Sequence, residues 1–281
     1  MIRSVLKIVF ILFFANSFGQ ELSVSTYNIR LDIASDAENA WPNRKDFLIS
    51  QLKFYAPDIF GIQEGLPHQV KFIDEQLPEF NFVGEGRDGK NEGEYSAVFY
   101  NKNKFVVKES GTFWLSPTPA KVSKGWDAAL PRICTYAKLM DIDSGSIFWV
   151  FNTHFDHIGE KARLNSTTLI LKKITDLNSN NFPVVLMGDF NAEPLSAPIS
   201  NLKDSMNDSK DIAIEEPFGP DGTFNSFDFN RTSYKRIDYI FVSRSANIQV
   251  KKYAVLRDYK NSRFPSDHFP VYVKLKMNYD K

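Results

Sequence analysis

The stretch VVLMGDFNAEP, Val184–Pro194, opens with four apolar residues, reaches Gly188, and stops on two short polar side chains, Asp189 and Asn191. The apolar run reads as a buried strand. Alternation along a strand would place Asp189 and Asn191 on one face. Taken alone, the stop is also an ordinary strand-to-loop turn, with Asn191 in a left-handed conformation. Which reading holds depends on how the other strands end.

Five further strands end in the same way. STYNIR gives Asn28, GIQE gives Glu64, and FNTHFDH gives Asn152, His154, Asp156 and His157. RIDYIF gives Asp238, and PSDHFPV gives Asp267 and His268. The chain has four histidines, and three of them fall inside these clusters. Carboxylate and amide oxygens suit Mg²⁺ or Mn²⁺, and no HExxH-type zinc spacing is present. An Asp–His pair supplies an oriented imidazole for charge developing on a phosphate, and a further carboxylate can activate water. The combination points to metal-assisted phosphoester hydrolysis.

Around these ends the pattern is strand-rich. Helices are expected at Arg44–Tyr55, from Pro67 to Leu77, and at Glu160–Leu177, the last with Leu164, Thr168, Leu171, Ile174 and Leu177 on one stripe. Most of the chain from Phe80 to Phe155 reads as strands, with a hairpin turn at 143–145. Residues 201–222 read as a polar stretch, and 85–94 and 116–131 as irregular loops at a rim. No repeat or linker divides the chain.

The first 20 residues combine Arg3 and Lys7 with an apolar run, Ile8–Phe14, that is short for a bilayer span. They read as a secretory signal peptide, with a membrane anchor as the alternative. Residues 21–281 then form one exported domain, periplasmic or secreted, monomeric and without stable membrane insertion. Removing the first 20 residues takes two bases and no acid from 34 of each, leaving −2. That balance lacks the basic excess of a protein living on duplex DNA. The single cysteine, Cys134, excludes an intrachain disulfide and reads as a buried thiol.

TYNIR, IQE, NTHFDH, GDFN, RIDYIF and SDHFPV, in this order, resemble the endonuclease/exonuclease/phosphatase superfamily over about Leu22–Lys276. AWPNRK, GEYSAVFY and the segment from Thr112 to Leu139 resemble an exported bacterial subgroup of it. The resemblance implies an α+β, deoxyribonuclease I-like fold, a four-layer sandwich of two mainly antiparallel sheets flanked by helices. It implies metal ligands Asn28, Glu64 and Asp267 for Mg²⁺ or Mn²⁺. It implies catalytic roles for His154, Asp189, Asn191, Asp238 and His268, with His154, Asn191 and His268 also on the phosphate. Arg132 reads equally as a phosphate-binding residue or a salt-bridge partner. The substrate is expected to be a phosphoester, with phosphodiesters (nucleic acid or a phospholipid headgroup) ranked slightly above sugar or inositol phosphate monoesters. A non-catalytic binding module on the same fold is the alternative from another class. Trp41, Trp114 and Trp126 read first as packing and second as a stacking platform.

Overall fold

The computed structural model describes residues 20–244 and 247–277; apart from Gln20, the expected signal segment lies outside the described residues. In chain order the elements are β1 (Gln20–Asn28), α1 (Trp41–Tyr55), β2 (Ile59–Gln63), α2 (Pro67–Gln76), β3 (Phe80–Val83), β4 (Val98–Asn101), β5 (Phe105–Trp114) and β6 (Ile133–Asp141). They continue with β7 (Ile147–His154), α3 (Glu160–Leu177), β8 (Val184–Asp189), α4 (Ala197–Ser205), β9 (Met206–Asp208), β10 (Asp238–Ser243), β11 (Ile248–Val255) and β12 (Val271–Met277). A short 3-10 turn covers Ala34–Asn39.

The strands form two six-stranded sheets, ordered β11-β12-β1-β2-β4-β3 and β5-β6-β7-β8-β10-β9. Each sheet has one parallel pair, β1 with β2 and β7 with β8, and is otherwise antiparallel. A helix bridges each parallel pair, as a parallel connection requires. Three apolar layers make the sandwich. Val24, Ile59, Val150, Val185, Ile240 and Val273 fill the space between the sheets. Leu48, Leu52 and Val70 of α1 and α2 cover Phe60 and Phe99 outside the first sheet. Ile170, Ile199 and Leu202 of α3 and α4 cover Trp149, Leu186 and Phe241 outside the second. The expected four-layer fold is therefore present. Among the described residues no helix is long and apolar enough to cross a membrane.

Two local expectations are corrected. The polar stretch from Asn201 contains the end of α4 and all of β9. Ile199, Leu202 and Met206 anchor them at near-helical spacing. Of the expected α3 stripe, Leu171, Ile174 and Leu177 pack partly buried against the core, whereas Leu164 is half-exposed and Thr168 faces solvent; the fully buried side chains are Ala162, Ser166, Thr167 and Ile170. The first half of the helix therefore departs from that stripe. Cys134 is a buried free thiol.

A polar bridge crosses the apolar middle layer. Gln63 Nε2 donates to Thr26 Oγ1 at 3.0 Å and to Asn152 Oδ1 at 2.7 Å. Asn152 Nδ2 donates to the carbonyls of Ile62 at 2.9 Å and Ala97 at 2.8 Å. Gly61 makes room for it, since a Cβ there would lie 2.6 Å from Asn152 Cγ. Gly188 is equally constrained. Its φ is +150°, and a Cβ would lie 2.1 Å from the Thr153 carbonyl oxygen on β7. Gly188→Ala is expected to cost about 1–3 kcal/mol in denaturant unfolding, through overpacking and backbone strain.

Candidate active site

Parallel strands deliver their carboxyl ends to one edge, the usual place for a ligand in such sheets. β1 ends at Asn28 beside Gln63, and β7 ends at His154 paired with Asp189. The antiparallel neighbours start where these strands stop. Asp238 opens β10 opposite Asp189, and Asp267 and His268 precede β12. Left-handed residues turn the chain at Arg30 (φ 57°), Glu64 (φ 63°) and Asn191 (φ 46°). For Arg and Glu this conformation costs of order 1 kcal/mol each, a strain that clusters at functional sites.

Asp189 and Asn191 do meet, but not by strand alternation. β8 stops at Asp189, and the turn brings Asn191 back so that its N–H donates to Asp189 Oδ1 at 2.9 Å. Asn191 Nδ2 donates to the Phe155 carbonyl at 3.0 Å and lies 3.1 Å from His154 Nε2. Asn28 Nδ2 joins the two sheets' contributions, donating to Glu64 Oε1 and Asp189 Oδ2, both at 3.0 Å. The Leu31 N–H donates to Glu64 Oε2 at 3.1 Å.

His268 Nδ1 donates to Asp238 Oδ2 at 2.9 Å, and its Nε2 is 3.8 Å from Asp189 Oδ2. Burial opposes the imidazolium charge, but the Asp238 carboxylate overcomes it and lifts the His268 pKa to about 10. Burial, then the charge of Asp238, pushes Asp189 up to about 7. His154 behaves oppositely. Burial, then Arg132, holds it well below the ordinary histidine value. Arg132 Nη1 lies 3.1 Å from His154 Nδ1, and a guanidinium only donates. Burial and Arg132 keep the ring neutral; its Nε2 lies 3.1 Å from the Asn191 amide nitrogen and 3.5 Å from Asp189 Oδ2.

Arg132 makes the salt bridge that one of its sequence readings expects. It is buried against Asp156, with Nε 3.4 Å from Oδ2, and it lines the pocket. Its Nη2 also contacts His157 Nδ1 at 3.0 Å. Three polar strand-end residues serve architecture. Asn152 is the inter-sheet bridge. Asp156 accepts the N–H groups of Ala129, Leu130, Ile158 and Gly159, and so fixes the loop beneath Arg132. His157 buttresses Arg132. Trp41 and Trp114 are buried, and Trp114 Nε1 donates to the Arg87 carbonyl at 2.7 Å. Trp126 is half-exposed and lines no part of the pocket.

Sequence reasoning misses Arg44, which is 4% exposed. It donates to the carbonyls of Asn39, Ile29, Arg30 and Leu31, and to that of Pro265 at 3.1 Å. One guanidinium thus ties the segment after Asn28 to the segment before Asp267. The only sequence signal is an arginine on a helix otherwise facing the core.

The pocket over these residues has a volume of 1170 Å³. Its walls mix signs, with Glu94, Glu160 and Glu193 beside Arg87, Lys161 and Arg163. The donor set fits a divalent cation at Glu64, Asp267 and Asn28. Burial, resisted by His268 and reinforced by Glu64, raises the Asp267 carboxyl above its usual range. A cation would relieve that carboxylate crowding. Asp189, Asp238 and His268 also bring ligand-type atoms within 4.8 Å of one another. There the imidazole is committed through Nδ1 to Asp238 and is cationic, so oxygen donors on the Glu64 side suit a hard cation better.

Residues 25–268 match the endonuclease/exonuclease/phosphatase family. Two solved structures from Bacteroides thetaiotaomicron are similar. One, an endonuclease/exonuclease/phosphatase family protein, is 40% identical with a TM-score of 0.88, over 93% of this chain and 99% of that one. The other, a mannosyl-6-phosphatase from strain VPI-5482, is 42% identical with a TM-score of 0.86, over 90% of this chain and 99% of that one. A probable RNA exonuclease of Saccharomyces cerevisiae is 28% identical over 201 residues, 63% of this chain and 39% of that protein. The chain spans less than two thirds of the length of the curated relatives it matches. Motif order, sheet topology and these matches agree: the chain belongs to the endonuclease/exonuclease/phosphatase family of hydrolytic enzymes.

Proposed function

We propose that the protein is a divalent-metal-dependent phosphoesterase that releases phosphate from a sugar phosphate monoester. The observation that carries this reading is the pocket wall. Glu94, Glu160 and Glu193 alternate with Arg87, Lys161 and Arg163 in place of the basic track that a nucleic-acid backbone favours, and mixed carboxylates and guanidinium groups suit the hydroxyls of a small polar leaving group. Similarity to the mannosyl-6-phosphatase over 99% of its chain supports the same choice. The diesterase reading draws on the probable RNA exonuclease and is the competing outcome below.

In this mechanism Glu64, Asp267 and Asn28 would hold Mg²⁺ or Mn²⁺, which when bound would supply Lewis-acid polarisation of a phosphoryl oxygen. Asp189 takes the proton of the attacking water, the phosphorus–oxygen bond to the sugar breaks, and the leaving oxygen takes a proton from solvent as Asp189 returns its own; a base with a pKa of about 7 is well matched to neutral pH. His268, kept charged by Asp238, donates from Nε2 to the phosphoryl group as negative charge builds there. Neutral His154, Arg132 and Asn191 surround the remaining phosphoryl oxygens. The amino-terminal apolar run supports action outside the cytoplasm.

Purified protein is expected to hydrolyse mannose 6-phosphate and p-nitrophenyl phosphate with Mg²⁺ or Mn²⁺. EDTA should abolish turnover and added metal should restore it. Preference for bis-p-nitrophenyl phosphate or RNA over every monoester tested would move the assignment to a phosphodiesterase. Unchanged function after Glu64→Ala and His268→Ala would favour a binding module.

A further inference from the structure

We propose that Arg87 and Glu94 form a subsite for adjacent hydroxyl groups of the sugar, on the pocket wall next to Arg132 and His154; the proposal rests on the sugar-phosphate reading above. Both side chains line the pocket, and both border a second, small void of 10 Å³ together with Arg132 and His154. They therefore stand beside the residues that take the phosphate.

The pair is held rigidly. The Arg87 N–H donates to the Glu94 carbonyl at 2.9 Å, and the Gly86 N–H to the Lys90 carbonyl at 2.8 Å. The Asp88 N–H donates to the Glu92 carbonyl at 3.1 Å, and the Trp114 indole holds the Arg87 carbonyl. A segment that sequence reads as a loose glycine-rich loop is thus an ordered hairpin pinned to β5. Pre-organisation of this kind lowers the entropic cost of binding.

Its polar groups are under-used. Arg87 Nη2 contacts Glu94 Oε1 at 2.8 Å, with side-chain exposures of 14% and 11%. Nε and Nη1 of Arg87 are buried with no hydrogen-bond partner among the described residues. Glu94 meets Arg87 through Oε1, which leaves Oε2 outside that contact. A largely buried ion pair is weak evidence for stability, since desolvation offsets its attraction. Burial, opposed by Arg87 and reinforced by Glu64, pushes the Glu94 carboxyl above its usual range. A planar donor fork adjoining the second carboxylate oxygen offers a donor and an acceptor side by side, the complement of two neighbouring hydroxyls.

The test compares Glu94→Gln with the parent on two monoesters that share the phosphate and differ in the leaving group. For mannose 6-phosphate, kcat/KM should fall about ten-fold or more, through KM, the size of one charge-assisted hydrogen bond. For p-nitrophenyl phosphate, which has no hydroxyls, it should stay within about two-fold. Free mannose should inhibit the parent and inhibit the variant more weakly. Glu94→Asp, which keeps the charge and shortens the reach, should show the same split and serves if the glutamine variant misfolds. Unchanged mannose 6-phosphate kinetics in a variant of an active parent overturn the subsite and leave the sugar-phosphate reading intact. Equal losses on both substrates also overturn it, since the pair would then hold the phosphate or the loop. A parent that cleaves only the aryl ester overturns the reading and the subsite together.

Discussion

Asp189→Asn is expected to lower kcat by about 10³-fold or more while leaving the fold unchanged. The substitution keeps the side chain's shape, so the Asn191 N–H retains an acceptor and the turn after β8 survives. It removes the proton acceptor and the negative charge facing His268, 3.8 Å from its Nε2. An amide cannot take a proton from water at neutral pH, and no other ionised carboxylate shares this position on β8. Steady-state kinetics at saturating Mg²⁺, with thermal unfolding of both proteins, checks the result. A variant within ten-fold of the parent would move the base role elsewhere. A variant that loses activity because it melts early would show that the carboxylate is structural.

The second large effect lies away from the chemistry. Arg44→Met is expected to destabilise the protein by about 3–5 kcal/mol in urea unfolding, because several buried carbonyls lose their donor at once. Methionine matches much of the volume and the contact with Trp41, whose ring centroid is 5.1 Å from the guanidinium carbon. Packing loss is therefore minor. Arg44→Lys should recover only part of the deficit, since one ammonium cannot span carbonyls on both sides of the clamp. The same variants should bind Mn²⁺ more weakly by titration calorimetry, because Arg44 joins the segments next to Asn28 and Asp267. Unaltered stability in both variants would show that these carbonyls find other partners.

Most of the site is legible in sequence because its chemistry is concentrated. Few histidines, several strand-end carboxylates and a fixed motif order converge on His154, Asp189, Asp238 and His268, and the fold places them together. What sequence cannot distinguish is direction. Asn152, Asp156 and His157 carry the same functional groups as their neighbours, yet one bridges the sheets, one binds loop amides and one supports Arg132. Only the orientation of each side chain separates these tasks. Arg44 is hidden for another reason. Its partners are backbone carbonyls, which leave no trace in residue type, and one of them is 221 residues away. Asp189 and Asn191 meet through the left-handed turn that the sequence also allows, not through alternation, and asparagine tolerates that turn better than most residues.

β12 lies between β11 and β1, with Met277 in register with Gln20. The second sheet draws on one continuous stretch, from Phe105 to Ser243. The first sheet, which carries Asn28 and Glu64, has to wait for its last strand before its centre can close. On a ribosome the half bearing His154 and Asp189 can therefore assemble while the half bearing Asn28, Glu64, Asp267 and His268 is still open along β1. The site residues of the two halves are brought together only once β12 has paired with β1.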